Sequence, residues 1–420
     1  MTTTLDAPAT PAVDLGPARK LVCRECGHST ALAAEFACMQ CFGPLEVDYE
    51  FGPVTRADIE AGPRSIWRYR GLLPVPTDVG TYANTEPGMT RLIRADRLAA
   101  ELGVRKLWVK DDTGNPTHSF KDRVVAVALA AARELGFRVL ACPSTGNLAN
   151  AVAAAAARAG WESVVLIPSS LERAKVLTTA VYDGALIAVD GNYDDVNRLA
   201  TELASEHEDW AFVNVNVRPY YAEGSKTLGY EVAEQLGWRL PDQVVVPIAS
   251  GSQLTKVDKG FREFGELGLV QPSPYRVFGA QATGCSPVSA AFKAGRDVVQ
   301  PVRPDTIARS LAIGAPADGP YVLDAVRRTG GAIEDVTDVE VVDGIRLLAR
   351  TEGVFAETAG GVTVACAKKL IETGQLDTDA ETVLLITGDG LKTLDAVQDH
   401  VGPRATVPPS AKAVREALGF

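Results

Sequence analysis

Residues 115–123 read NPTHSFKDR and run directly into VVAVALAAARE (124–134), an apolar, alanine-rich stretch of helical character. Ser119 and Asp122 have the S-x-x-D spacing of a capping box, which predicts a helix start and puts Lys121 in its first turn. A cation there faces the positive pole of the helix dipole, where its charged form is disfavoured, and partial burial lowers its pKa further. The amine left behind is a nucleophile.

On either side of this stretch, strand-length apolar runs alternate with helical patterns. KLWVK precedes the Lys121 helix, and RVLACPS precedes an alanine-rich helix through Ala159; SVVLIP, ALIAVD and WAFVNV follow with helices between them, then QVVVPIAS, YRVFGAQA and ETVLLITG. This rhythm is that of parallel sheets covered by helices, so the class is α/β. In such folds ligands bind at the carboxyl ends of strands, in the turns before helix N-termini. Three turns stand out: THSFKD; PSTGNLAN (143–150), with Gly146 and Asn147; and PIASGSQLTK (247–256), with Ala249, Ser250, Gly251, Ser252 and Gln253. Small residues in the third turn leave backbone N–H groups free to cradle a phosphate. Singly, each turn is ordinary strand-to-helix geometry. Together, a depressed lysine and an anion loop point to a cofactor with both a carbonyl and a phosphate, which is pyridoxal phosphate.

Composition narrows the partners. A chain of 420 residues exceeds the usual single-domain size. Its net charge of −11 argues against a nucleic-acid surface, which needs a basic stripe. There is no run of about 18 apolar residues, and MTTTLDAPATPAVDLGPARK lacks the parts of a signal peptide, so a cytoplasmic protein without a membrane partner is expected. Among seven cysteines, Cys23, Cys26, Cys38 and Cys41 form two C-x-x-C pairs eleven residues apart. That pattern suits a structural zinc knuckle, in which four thiolates leave no open position for catalysis; a metal-free, reduced knuckle is the other reading.

NPTHSFKDR, STGN, VPIASGS and TGDGLK, together with the cysteine pairs, resemble threonine synthases, pyridoxal-phosphate enzymes of the tryptophan-synthase-β-like fold (fold type II). The resemblance implies a two-domain α/β enzyme with a small N-terminal zinc-ribbon-like knuckle, acting as a homodimer on O-phosphohomoserine. Carried over by position, Lys121 joins the cofactor's aldehyde, Asn147 donates to its phenolic oxygen, residues 249–253 hold its phosphate, and Thr387 faces its pyridine nitrogen. The loop departs from the family's commoner GNAGN or GNLGN. Thr387, whose alternative role is a helix cap, offers a neutral hydroxyl that cannot hold a ring proton as a carboxylate would. For the substrate's anions the resemblance implies Arg218, with Lys226 and Thr227 as runners-up, Thr90 in EPGMTR, and Ser144 and Thr145 beside Asn147.

The expected layout is a tail over 1–20, the knuckle over 21–50, a large domain from 51–104 and 236–405, a small domain over 105–235, and a C-terminal tail over 406–420. A serine or threonine ammonia-lyase or a cysteate synthase would share the same constellation and differ in the substrate's anion site. A dinucleotide oxidoreductase is disfavoured because no G-x-G-x-x-G opens a helix. Intact Lys121 argues against a non-catalytic relative.

Overall fold

A computed structural model describes residues 13–78, 85–144 and 146–420. Among these, the chain first builds an antiparallel sheet from β1 (Ala18–Cys23), β2 (Ser29–Thr30) and β3 (Leu45–Tyr49), in the order β2-β1-β3. Strands β4 (Arg91–Arg94) and β5 (Lys106–Asp111) come next. Then follow β6 (Val139–Pro143), β7 (Glu162–Pro168), β8 (Ala185–Val189) and β9 (Trp210–Phe212), which form a four-stranded parallel sheet in the order β8-β7-β6-β9. The remaining strands, β10 (Gln243–Pro247), β11 (Arg276–Ala282), β12 (Ile333–Val336) and β13 (Glu381–Ile386), join β5 and β4 in a six-stranded sheet ordered β12-β11-β10-β13-β5-β4.

Burial explains the composition of these strands. Every residue of β6, β10 and β13 is buried, as expected for central parallel strands covered by helices on both faces. In β8, an edge strand, none of the five residues is fully buried. The helix Lys121–Glu134 is buried continuously from Asp122 to Ala132, which explains its alanines: it is enclosed on all sides, and larger side chains would overpack it.

Several boundaries differ from the sequence reading. The small domain does not begin at residue 105, because β5 pairs in parallel with β13 and antiparallel with β4, inside the large sheet. The strands β4 and β12 are too short and too polar to have been legible, reading RLIR and IEDV. β1 starts within the expected N-terminal tail, and the C-terminal tail holds a helix, Ala411–Leu418. The capping box is also corrected. Phe120, in right-handed helical conformation, occupies the cap position with no side-chain hydrogen bond, while Asp122 turns back to accept from Thr117 N and Oγ1, both at 2.8 Å.

Candidate active site

What positions Lys121 is a lattice of backbone contacts. The segment before it lies against the turn after β13: Phe120 N donates to Thr387 O (2.9 Å), Asp389 N donates to His118 O (3.0 Å), and Ser119 bridges Gly388. His118 adopts φ +60°, a left-handed conformation uncommon outside glycine. These contacts bring the starts of two elements to one point between the sheets, where a cavity of about 320 Å³ opens.

Lys121 lines that cavity, with Nζ 4.7 Å from the Phe120 ring centre and 5.9 Å from that of Tyr221. Burial pushes its amine down to about 8, and the carboxylate of Glu357 acts in the opposite direction. Here is the local compensation that a lysine at a positive helix end requires. Glu357, itself buried, precedes the helix Thr358–Glu372 at its N-cap position without a side-chain cap bond, and accepts from Asn147 Nδ2 at 2.8 and 2.9 Å. Sequence reasoning missed Glu357. In FAETAGG it reads as an unremarkable acid before a helix, and only the tertiary fold sets it against Lys121.

Of the sequence-predicted residues, the structure brings together Lys121, Ser144, Asn147, Arg218, Ala249, Ser250, Gly251, Ser252, Gln253 and Thr387, all on the cavity wall. Ser144 Oγ accepts from Gly146 N and Ala149 N, both at 2.9 Å, and so fixes the start of the helix Asn147–Ala159. Thr387 is not the cap of the following turn, since Asp389 accepts from Leu391 N there. Arg218 Nη2 donates to Asp318 Oδ2 at 2.6 Å. Tyr193 and Asn214, from the segments that follow β8 and β9 of the four-stranded sheet, also line the cavity and were not anticipated.

Other candidates lie elsewhere. Thr90 is buried in a charge network, donating to Asp112 Oδ1 (2.6 Å) and accepting from Arg123 Nη2 (3.2 Å), and does not line the cavity. Lys226 is enclosed among Leu72 O, Glu223 and Glu263, and Thr227 Oγ1 donates to Gly224 O; neither reaches the cavity. The reason in each case is a local partner that satisfies the polar group. Thr145 lies outside the described residues.

The residues present fit pyridoxal phosphate. At the 249–253 turn, Gly251 has φ +97°, and a Cβ there would stand 2.6 Å from Val322 Cγ2, so only glycine follows this path. It begins the helix Ser252–Glu266 without a side-chain cap of its own; Ser252 N makes only a long contact of 3.5 Å to Ser250 Oγ, so this helix start is suited to an anion. Four buried polar atoms of residues on the cavity wall, Asn147 Oδ1, Asn214 Oδ1, Gln253 Nε2 and Ser310 Oγ, have no protein partner, which suits a polar ligand. In the knuckle, the four sulfurs of Cys23, Cys26, Cys38 and Cys41 lie within 4.8 Å of one another. The pairs Cys23–Cys41 (3.4 Å) and Cys26–Cys38 (3.7 Å) approach the roughly 3.8 Å sulfur separation that tetrahedral zinc with 2.3 Å bonds produces. Cys142, Cys285 and Cys366 are buried, and burial raises all three thiols.

Residues 83–388 match the pyridoxal-phosphate dependent enzyme family, and the chain belongs to it. Its place within that class is beside the threonine synthases. It is 37% identical to the threonine synthase of Methanocaldococcus jannaschii over 89% of this chain and 93% of that one, and 36% identical to that of Methanosarcina acetivorans over 95% and 98%. Among solved structures, threonine deaminase isoform 2 of Solanum lycopersicum superposes with a TM-score of 0.62 at 18% identity, covering 81% of this chain and 91% of that one. Maize serine racemase gives 0.61 at 23%, covering 74% and 90%. These two likenesses concern the fold alone.

Proposed function

We infer that this chain is a threonine synthase, converting O-phospho-L-homoserine and water to L-threonine and phosphate. The observation that carries the reading is a buried, depressed lysine sharing one cavity with an uncapped helix N-terminus, in a chain similar to threonine synthases along most of its length.

Lys121 would hold the cofactor covalently, with residues 249–253 around its phosphate, Asn147 beside its phenolic oxygen and Thr387 facing its ring nitrogen. Bound there, pyridoxal phosphate supplies an electron sink that acidifies the substrate's α-carbon. When the substrate's amine takes its place, the Lys121 amine is freed to remove the α-proton and later return it. Glu357 limits how far burial depresses that amine, so Lys121 can hold a proton between the two transfers. Arg218, with its guanidinium at the wall, is the residue for the substrate's phosphate, and Ser144 at a helix start is the residue for its carboxylate. Loss of a β-proton expels phosphate from the γ-carbon, the γ-carbon then takes up a proton, and water adds at the β-carbon, its hydroxyl staying there. The departing phosphate, with a second pKa near 6, is a suitable base for these steps.

The test is incubation of the cofactor-loaded protein with O-phosphohomoserine while phosphate and threonine are both measured. Equal amounts of the two are expected. Phosphate with ketobutyrate in place of threonine would contradict the assignment and indicate a lyase. We read the enzyme as a cytoplasmic homodimer carrying a structural zinc; light scattering of the purified protein tests the dimer.

A further inference from the structure

The cysteine knuckle packs against the elements around the cavity. Its loop and strands reach two helices that line the cavity and a third that starts just after the wall residue Ala317. Tyr220, in the helix Arg218–Glu223, donates to Ala33 O at 2.9 Å, and Tyr49 donates to Glu223 at 2.6 Å. Glu46 pairs with Lys256 and Lys259 in the helix that begins at Ser252. Arg24 and Glu25, which separate Cys23 from Cys26, engage the start of the helix Gly319–Arg328: Arg24 lies 3.5 Å from the ring centre of Tyr321, whose hydroxyl donates to Glu25. Phe36, between the two cysteine pairs, lines the cavity itself.

Arg24 also meets the cavity arginine through a shared carboxylate. Asp318 is held between Arg218 Nη2 (2.6 Å) and Arg24 Nη1 (3.9 Å), and its backbone N–H donates to Ser250 O (2.9 Å) in the 249–253 turn. Arg218 and Asp318 alone would form a neutral pair with little pull on an anion. The second guanidinium, that of Arg24, is also shared with Glu46 (Nε to Oε2, 3.8 Å) and competes for the carboxylate that would otherwise be held by Arg218 alone. The two arginines come from distant parts of the chain and share Asp318 because the knuckle packs against both the Arg218–Glu223 and the Gly319–Arg328 helices.

We propose that the knuckle is part of the substrate's anion site, with Arg24 acting through Asp318 as a positioning residue for Arg218 and Phe36 forming a wall beside it. The proposal rests on the reading of Arg218 as the phosphate-binding residue. Arg24 is partly exposed, so its influence falls in the range of a surface pair rather than a buried one.

Steady-state kinetics on the full-length, cofactor-loaded enzyme distinguish the possibilities, using Arg24→Met, Arg24→Lys, Arg218→Met and the double variant. Arg24→Met should raise KM for O-phosphohomoserine about threefold to fivefold while kcat stays within about twofold, and Arg24→Lys should recover most of the loss. In an Arg218→Met background, Arg24→Met should add nothing. If Arg218→Met leaves KM unchanged, the assignment of Arg218 falls and this proposal with it. If Arg218→Met raises KM but Arg24→Met does not, or its effect persists undiminished in the double variant, the role of Arg24 alone is refuted. Should Arg24→Met not fold, Phe36→Ala takes its place: a KM raised with kcat retained supports the knuckle's share in the site, and an unchanged KM overturns it.

Discussion

Glu231→Gln probes the charge network beneath the Lys121 helix. Glu231 accepts from Arg123 Nη1 (2.5 Å) and Nη2 (2.8 Å), from Lys110 Nζ (2.6 Å) and from Met89 N (2.8 Å). Asp112 takes the remaining face of Arg123, at 2.7 and 2.8 Å. The side chains of Lys110, Arg123, Asp112 and Glu231 are fully buried, and two cations balance two carboxylates. Neutralising Glu231 leaves one buried positive charge uncompensated, which costs about 3–5 kcal/mol, a large share of the roughly 5–15 kcal/mol that holds a typical domain folded. Lys110 sets the pH dependence. Burial already lowers its pKa, with Glu231 the main opposing influence, so the substitution depresses it further. A lysine depressed in the folded state binds fewer protons there than when unfolded, so stability of the variant should rise with pH. Urea unfolding followed by tryptophan fluorescence should therefore show the loss at pH 6 exceeding that at pH 9. Adding Lys110→Met to Glu231→Gln, which restores the charge balance, should recover much of it. A loss under about 1 kcal/mol at neutral pH, or a double variant no more stable than Glu231→Gln, would refute the reasoning.

Other outcomes follow from the cavity and the knuckle. Gly251→Ala forces a non-glycine residue to φ +97° with its Cβ against Val322, a strain on the order of 1–3 kcal/mol, so titration of the cofactor-free chain should show pyridoxal phosphate binding at least about fivefold more weakly. Because the Lys121 amine loses its proton near 8, the rate of cofactor capture should climb with pH and level off above that value. Glu357→Gln removes the charge that raises this pKa and should move the midpoint lower; an unmoved midpoint would exclude Glu357 as the opposing group. Metal analysis should find one zinc per chain, lost on Cys26→Ser together with a lower thermal midpoint, and an unaltered metal content would exclude this cluster as the site.

The strands with continuous apolar runs were legible because central parallel strands need no polar face, as β6 and β13 illustrate. β4 and β12 were not, since short edge strands carry little hydrophobic signal. Lys121 and the 249–253 turn could be read from local chemistry at a helix start. Glu357, Tyr193 and Arg24 could not, because their significance lies in partners distant in sequence. Thr90 and Lys226 looked available in the sequence and are committed to buried networks in the fold, a distinction that depends on which neighbours fill their hydrogen-bonding capacity.

Everything in the proposed reaction depends on the Lys121 amine carrying the cofactor. Reduction of the pyridoxal-phosphate-loaded protein with borohydride, followed by peptide mapping, should place the fixed pyridoxyl group on Lys121, and Lys121→Ala should be colourless and unlabelled. Label on another lysine, or a chain that stays colourless when the cofactor is supplied, would contradict it.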